Sequence, residues 1–263
     1  MPYRIDLPHP PVDALDRLIE LGALDVGPID SGLAAIMPDS VSDVTVSRAL
    51  GVNDLRAGPA LGRDDGSVWL LAPRAIQIGR LRIVPAEHPP QGDVVRLLDA
   101  PAFGTGLHPT TVLCLEALQE ELSTSMPASI LDVGTGSGIL ALAALHAGVA
   151  QAVAIDIADD AVRTATANAA LNNVSSRLRV VHGGPDAVSG AWPLVLANIL
   201  AAPLIEMAPT LARRVGHSGH LVLSGIHSSL ADEVAQAYRR AGMHHVQTAS
   251  RDGWTALTFR ASW

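Results

Sequence analysis

From residue 109 onward the chain repeats one pattern, a helix-length segment followed by a short run of apolar residues of the kind buried in sheets. The spacing predicts helices over 110–122, 139–147, 160–171, 204–213 and 229–241, with strands over 129–133, 152–157, 178–182, 194–199 and 220–223. Strands joined through helices run parallel, because only a crossover of that length returns the chain to the same end of a sheet. A parallel sheet is in turn covered by helices on both faces. Two further alternating runs, 245–249 and 255–260, flank Asp252-Gly253 and read as a terminal hairpin.

Ahead of this region lies a smaller α+β stretch. Tyr3 to Leu7 alternates as a strand. Leu15, Leu18 and Ile19 share one helical face after Pro11, with Gly22 as the stop. Residues 32–37 read as a second strand and 42–50 as a second helix. Residues 53–66, rich in Gly and Asp, read as loop. Strand-like runs at 67–71 and 75–84 follow, and the prolines of 85–92 mark a turn or boundary. The expected organisation is a small domain over 1–58, a linker region over 59–100 and a main domain over 101–263.

Composition narrows the function classes. The chain has 263 residues, 48% hydrophobic and 17% charged, which supports a sizeable core. Aromatics make up only 3%, so that core must be built from Ala, Val, Leu and Ile. A net charge of -8 opposes the grip of a phosphate backbone, so no direct nucleic-acid binding is expected. The single cysteine, Cys114, excludes an intramolecular disulfide and a multi-thiolate metal site. It lies in an apolar helical pattern and reads as a small buried hydrophobe. No basic-then-apolar leader opens the sequence, and no apolar run approaches the ~18–20 residues that span a bilayer. The expected location is the cytoplasm, with no membrane partner.

The sharpest local signal is Leu131-Asp132-Val133-Gly134-Thr135-Gly136-Ser137-Gly138, where a buried strand turns into a helix. Open α/β sheets bind ligands at such turns, and glycines there let a ligand approach the backbone closely. A dinucleotide fingerprint, Gly-x-Gly-x-x-Gly, would need glycine at 139, where the chain has Ile139. The Gly-x-Gly-x-Gly form suits S-adenosyl-L-methionine, whose cationic amino-acid end needs no pyrophosphate site. A turn used only for packing is the bland alternative. Asp156 ends the next strand, 22 residues beyond Gly134, where a carboxylate accepts the hydroxyls of a ribose. It speaks for a nucleoside without choosing among cofactors, and a simple helix cap is its alternative role. A final antiparallel pair fits a seven-stranded methyltransferase sheet better than a six-stranded dehydrogenase sheet.

Leu196-Ala197-Asn198-Ile199-Leu200-Ala201 ends the fourth strand of that sheet. A carboxamide there can orient a reacting amine through its carbonyl oxygen while its NH₂ group donates to the cofactor. Taken alone, an Asn ending a strand is more often an ordinary turn residue. Upstream, Ala102-Phe103-Gly104-Thr105-Gly106-Leu107-His108-Pro109-Thr110-Thr111 reads as a mobile loop entering a helix, with Pro109 suited to its first turn.

This loop, together with Asp-x-Gly-x-Gly-Ser-Gly-Ile-Leu-Ala, Ile-Asp-Ile, Ala-Asn-Ile-Leu-Ala and Leu-Ser-Gly-Ile at 223–226, closely resembles the PrmA-type methyltransferases of ribosomal protein L11. The resemblance spans about residues 100–263. It implies a class I methyltransferase, an α/β Rossmann-like seven-stranded sheet with a small N-terminal α+β domain for substrate recognition. It also implies S-adenosyl-L-methionine as cofactor, N-methylation of lysine and N-terminal amines, and ribosomal protein L11 as the protein partner. Carried over by motif, Thr111, Gly134, Gly136, Asp156 and Asn198 are expected cofactor contacts. Phe103 and Thr105 belong to a loop that closes over the site, and Asn198 also orients the amine. His108 is expected to position the loop rather than act as a base. The stretch before the loop carries only Trp69 where the family usually has several tryptophans, and the first 60 residues match weakly.

Other readings are a methyltransferase of another protein or a small amine, a non-catalytic nucleoside-binding module, and a nicotinamide dehydrogenase. Ile139 and the Asn198 motif oppose the last. The pairs His217 with His220 and His244 with His245 lack the cysteine or carboxylate partners of a metal site, so no metal is expected.

Overall fold

The computed structural model describes residues 3–23, 25–29, 32–59, 73, 75–89, 94–100 and 102–263. The chain forms two compact units, Met1–Ala72 and Pro73–Trp263.

The first unit runs β1 (Tyr3–Leu7), α1 (Ala14–Glu20), β2 (Asp25–Ile29), β3 (Gly32–Met37), α2 (Asp43–Leu50) and β4 (Arg56–Pro59). Its antiparallel sheet has the order β2-β3-β1-β4, the ferredoxin-like arrangement. Ile5, Leu7, Leu18, Ala35, Met37 and Val46 form its core. Ser42 caps α2 by accepting from the Thr45 N–H, and Gly51 ends the helix at φ 69°. The sequence reading missed β2 and read β4 as loop. Both are edge strands carrying Gly and Pro, which disguise a strand and are tolerated only where one side of the ladder is unpaired.

The second unit opens with β5 (Ile76–Ile78), β6 (Leu81–Pro85) and β7 (Val94–Leu97), a three-stranded sheet. The reading assigned these residues to a linker. Instead Ile78, Ile83, Val95 and Leu97 are buried in the same core as the helices of the main sheet. The run 75–84 divides at Gly79, and the run 67–71, with Trp69, lies outside the described residues.

There follow α3 (Pro109–Thr124), β8 (Ser129–Val133), α4 (Ile139–His146), β9 (Gln151–Asp156), α5 (Asp159–Leu171), β10 (Leu178–His182) and β11 (Trp192–Asn198). The chain continues through α6 (Ala201–Glu206), α7 (Ala208–Arg214), β12 (Val215–His227), α8 (Ala231–Arg240), β13 (Met243–Arg251) and β14 (Trp254–Ala261). The single helix expected over 204–213 is two, because Pro209 sits in the first turn of α7 and cannot continue α6.

These strands form a seven-stranded sheet of order β10-β9-β8-β11-β12-β14-β13, parallel except for β14, which runs antiparallel to both neighbours. This is the class I methyltransferase sheet with its terminal hairpin, as the sequence predicts. One face packs on α3, α4 and α5, and the other on α6, α7 and α8. Helix α4 buries every residue from Ile139 to Leu145. Polar tethers secure the small sheet to this layer: Asn172, which caps the C-terminus of α5, and Asn168 within it accept from the Arg96 and Leu98 N–H groups at 2.8 and 2.9 Å. The strand order reverses between β8 and β11, and at such a switch point a crevice opens beyond the strand ends. Among the described residues no helix is long and apolar enough to cross a membrane.

Candidate active site

β8 runs directly into the glycine turn. Gly134, Gly136 and Gly138 have φ of 69°, 55° and 86°, which glycine adopts without steric penalty. The N–H groups of Gly134 and Thr135 both donate to the Ile155 carbonyl, at 2.9 and 3.0 Å. The Gly136 N–H donates to Oδ2 of Asp156 at 2.9 Å, and the Ala158 N–H to its Oδ1 at 3.0 Å. Backbone amides thus fix the half-buried Asp156 carboxylate from both sides, while each oxygen keeps a lone pair for a ligand hydroxyl. A Cβ on Gly136 would lie 2.4 Å from the Phe103 carbonyl oxygen, and one on Gly134 would lie 2.4 Å from Cγ2 of Ile199.

Asp132 supports this turn from inside. It is fully buried, and its Oδ2 accepts from the Thr135 hydroxyl at 2.6 Å and the Ala141 N–H at 3.3 Å. Gly138, the N-cap of α4, has no side chain to offer, so a strand carboxylate caps the helix in its place. Burial pushes the Asp132 carboxyl up to about 7, against the lowering effect of those two bonds.

The upstream loop is seated on the turn. The Ser137 N–H donates to the Phe103 carbonyl at 2.8 Å and its hydroxyl to the Gly104 carbonyl at 2.5 Å. A Cβ on Gly106 would lie 2.7 Å from Cδ1 of Ile76 and 3.0 Å from Cδ1 of Ile83. The glycines read from sequence as a source of mobility therefore serve close approach. Thr105 lies half-buried between them. His108 caps α3, its Nδ1 accepting from the Thr110 N–H at 3.3 Å. Its ring meets Phe103 and Trp254 edge-on, with centroids 5.7 and 5.1 Å apart.

Asn198 ends β11 beside β8 and is 8% exposed. Its Nδ2 donates to Oγ1 of Thr111 at 3.3 Å, and its Oδ1 is buried with no hydrogen-bond partner. An unsatisfied buried carbonyl is costly, so this oxygen marks a place where a donor belongs.

The predicted residues therefore form two groups, Gly134, Gly136, Asp156 and Phe103 around the turn, and Asn198 with Thr111 at the end of β11. The sequence reading gave no role to Ser224, whose hydroxyl donates to the Thr110 carbonyl at 2.8 Å, nor to Trp254. Their contacts cross long stretches of chain and leave no local signal. An open groove of about 270 Å³ beside Leu107, Val112 and Arg251 contains none of the predicted site residues. Cys114 is buried, and burial pushes its thiol up, away from nucleophilic chemistry. Among the described residues no cluster of three or more His, Cys, Asp or Glu side chains is gathered as a metal ion would need. His220 instead pairs with Glu121 at 2.5 Å.

Residues 69–262 match the family model for ribosomal protein L11 methyltransferase (PrmA). The chain belongs to that family. A ribosomal protein L11 methyltransferase of Sorangium cellulosum is 36% identical, across 98% of this chain and 94% of the relative. One from Pelobacter propionicus is 40% identical over 206 residues, which are 75% of this chain but 66% of the relative, just under two thirds of its length. Among solved structures, a ribosomal protein L11 methylase from Lactobacillus delbrueckii subsp. bulgaricus superposes with a TM-score of 0.65 at 31% identity, covering 72% of this chain and 99% of that one. The family model begins at residue 69, so the ferredoxin-like unit lies almost wholly ahead of the region it matches.

Proposed function

We propose that the chain is an S-adenosyl-L-methionine-dependent protein N-methyltransferase that acts on lysine or N-terminal amines of ribosomal protein L11. The observation that carries this reading is the Asn198 carboxamide. Its NH₂ end is held by Thr111 and its buried oxygen awaits a donor, at the strand end next to the glycine turn.

The residues present suit the cofactor. The positive-φ glycines let the turn close against Phe103 and Ile199, and Asp156 offers two fixed oxygens to a ribose. In this reading Gly134, Gly136 and Asp156 hold the nucleoside, with Phe103, Thr105 and Thr111 flanking it. The bound cofactor supplies an electrophilic methyl group on a sulfonium. The protein must present a neutral amine in line with it. A lysine amine has a pKa near ~10.4 in water, and burial favours its neutral form. Asn198 Oδ1 accepts one N–H of that amine and so directs the lone pair. Alignment and exclusion of water then supply the rate, with no obligatory side-chain base.

The ferredoxin-like unit, with residues to about 58, is read as the substrate-recognition domain. A protein substrate from the ribosome puts the activity in the cytoplasm, and the net charge of -8 favours a basic protein partner over nucleic acid. The test is mass spectrometry of unmethylated L11 incubated with the purified enzyme and S-adenosyl-L-methionine. Mass gains in methyl steps on lysine or the N-terminal amine are expected. Cofactor binding without any gain on L11 would move the substrate to another protein or a small amine, and a methyl-labelled lysate would separate those. Cofactor binding with no transfer to any acceptor would leave a non-catalytic module.

A further inference from the structure

β12 ends in Leu223-Ser224-Gly225-Ile226, a motif given no task so far. Ser224 is fully buried, and both its polar oxygens are engaged. Its hydroxyl donates to the Thr110 carbonyl at 2.8 Å, across 114 residues of sequence. Its carbonyl accepts from the Ile199 N–H at 3.1 Å. Thr110 precedes Thr111 and Ile199 follows Asn198. One residue thus fastens the immediate neighbours of both members of the Asn198–Thr111 pair, and Ser224 itself stands opposite Asn198 in the β11–β12 ladder.

The next residue shows how tightly this junction is drawn. Gly225 has φ +83°, and a Cβ there would lie 2.3 Å from the Ile199 carbonyl oxygen. The Ile199 side chain in turn presses on Gly134 of the glycine turn. The Asn198 amide therefore has one anchor of its own, a 3.3 Å bond to Thr111. The position of that anchor depends on where Ser224 holds the first turn of α3.

We propose that Ser224 is a positioning residue for methyl transfer, bridging α3 to the end of β11 so that the Asn198 oxygen faces the acceptor amine. This rests on the reading of Asn198 as the group that orients the amine. Loss of the bridge frees the first turn of α3 to move relative to β11, and an in-line displacement is sensitive to such misplacement.

The test compares wild type with Ser224→Ala, Ser224→Cys, Asn198→Ala and the double variant Ser224→Ala/Asn198→Ala. It measures kcat and KM on L11, the S-adenosyl-L-methionine Kd by calorimetry, and the Asn198 side-chain NH₂ resonances by NMR. Ser224→Ala is expected to lower kcat about tenfold, the loss of one net hydrogen bond, with cofactor Kd and acceptor KM within about twofold. Ser224→Cys, a weaker donor of similar size, should recover part of that loss. In the Asn198→Ala background the serine substitution should cost less than about twofold more, because two residues acting as one unit are not additive. The Asn198 NH₂ resonances should shift in Ser224→Ala. An unchanged kcat, an equal proportional loss in both backgrounds, or unmoved Asn198 resonances would overturn the proposal. If wild type fails to methylate any acceptor, the functional reading falls instead, and the resonances still decide whether Ser224 sets the carboxamide. Should Ser224→Ala fail to fold, Ser224→Cys carries the same comparison.

Discussion

The turn that follows β8 and the strand end that closes β11 are neighbours in the sheet, yet different kinds of contact hold them. The turn is fixed largely from nearby in sequence. Thr135 bonds Asp132 three residues away, Ala141 bonds the same carboxylate nine away, and Gly136 bonds Asp156 twenty away. The end of β11 is fixed from afar, by Thr111 at a separation of 87 residues and by the Ser224–Thr110 bridge that spans 114. A cofactor platform built locally can be shared by many enzymes of one fold. On the proposed function, an acceptor site assembled from distant elements can be retuned without disturbing that platform.

The hardest blow to the locally built side is Gly136→Ala. The new Cβ would sit 2.4 Å from the Phe103 carbonyl oxygen, on a backbone with φ +55°. The turn or the loop must shift to admit it, and a displaced turn no longer presents its backbone as before. Calorimetry should therefore find cofactor affinity lowered about a hundredfold, roughly 3 kcal/mol. Affinity within a few-fold of wild type would mean that the upstream loop yields freely, and the seated loop described above would be wrong.

Asp156→Ala and Asn198→Ala set the two sides against each other. Asp156→Ala should weaken cofactor binding by about thirtyfold if Asp156 holds the ribose as proposed, since it would remove that acceptor and free two backbone N–H groups. Asn198→Ala should lower kcat about a hundredfold while cofactor Kd changes by no more than about threefold. If the Asn198 variant loses affinity and turnover alike, the carboxamide serves the cofactor and the division between the two regions dissolves. Equal affinity and equal turnover would remove Asn198 from the site.

The same division explains what was legible in the sequence. Gly134, Gly136 and Asp156 announce themselves because the turn needs them within one strand–helix–strand unit. The parallel core was legible because its strands are continuous apolar runs between helices. Asn198 was visible only as a residue type at a strand end, and nothing nearby reveals that Thr111 and Ser224 meet there. Trp254, whose ring packs against His108 from the terminal hairpin, is silent for the same reason. Segment 76–97 was misread as linker because Gly and Pro interrupt it, while the asparagines and glutamine that dock it lie at the C-terminal end of α5 and on α3. The edge strands β2 and β4 were hidden by prolines that only an edge permits.

A subtler check falls on Asp132, the buried cap beneath the turn. Its carboxyl is raised to about 7 in the folded protein from the ordinary carboxylate value of 3.8. Between those values the native state holds a proton that the unfolded chain has released. Stability should therefore fall as pH rises through that window and level off above about 7. Asp132→Asn keeps the shape and cannot ionise. Thermal unfolding between about pH 5 and 7 should show wild type losing about 2 kcal/mol that the variant retains. Parallel curves would mean that the carboxylate is paid for in some other way, and that the turn is less dry than its burial implies.

The smallest expected effect discriminates most finely. Thr111→Val removes one hydroxyl from a fully buried position and nearly preserves its volume. Resemblance assigns Thr111 to the cofactor, whereas the structure shows its Oγ1 receiving the Asn198 amide at 3.3 Å. A long neutral hydrogen bond contributes about 1 kcal/mol, so the whole effect should be near fivefold. If Thr111 acts by steadying Asn198, that fivefold falls on kcat, cofactor Kd stays within about twofold, and the loss vanishes in an Asn198→Ala background. If Thr111 acts on the cofactor directly, the loss falls on Kd and survives the loss of Asn198. The first outcome would make α3 part of the distant, retunable half of the site. The second would extend the cofactor platform beyond the strand–turn–helix unit and onto a helix that only the fold brings near it.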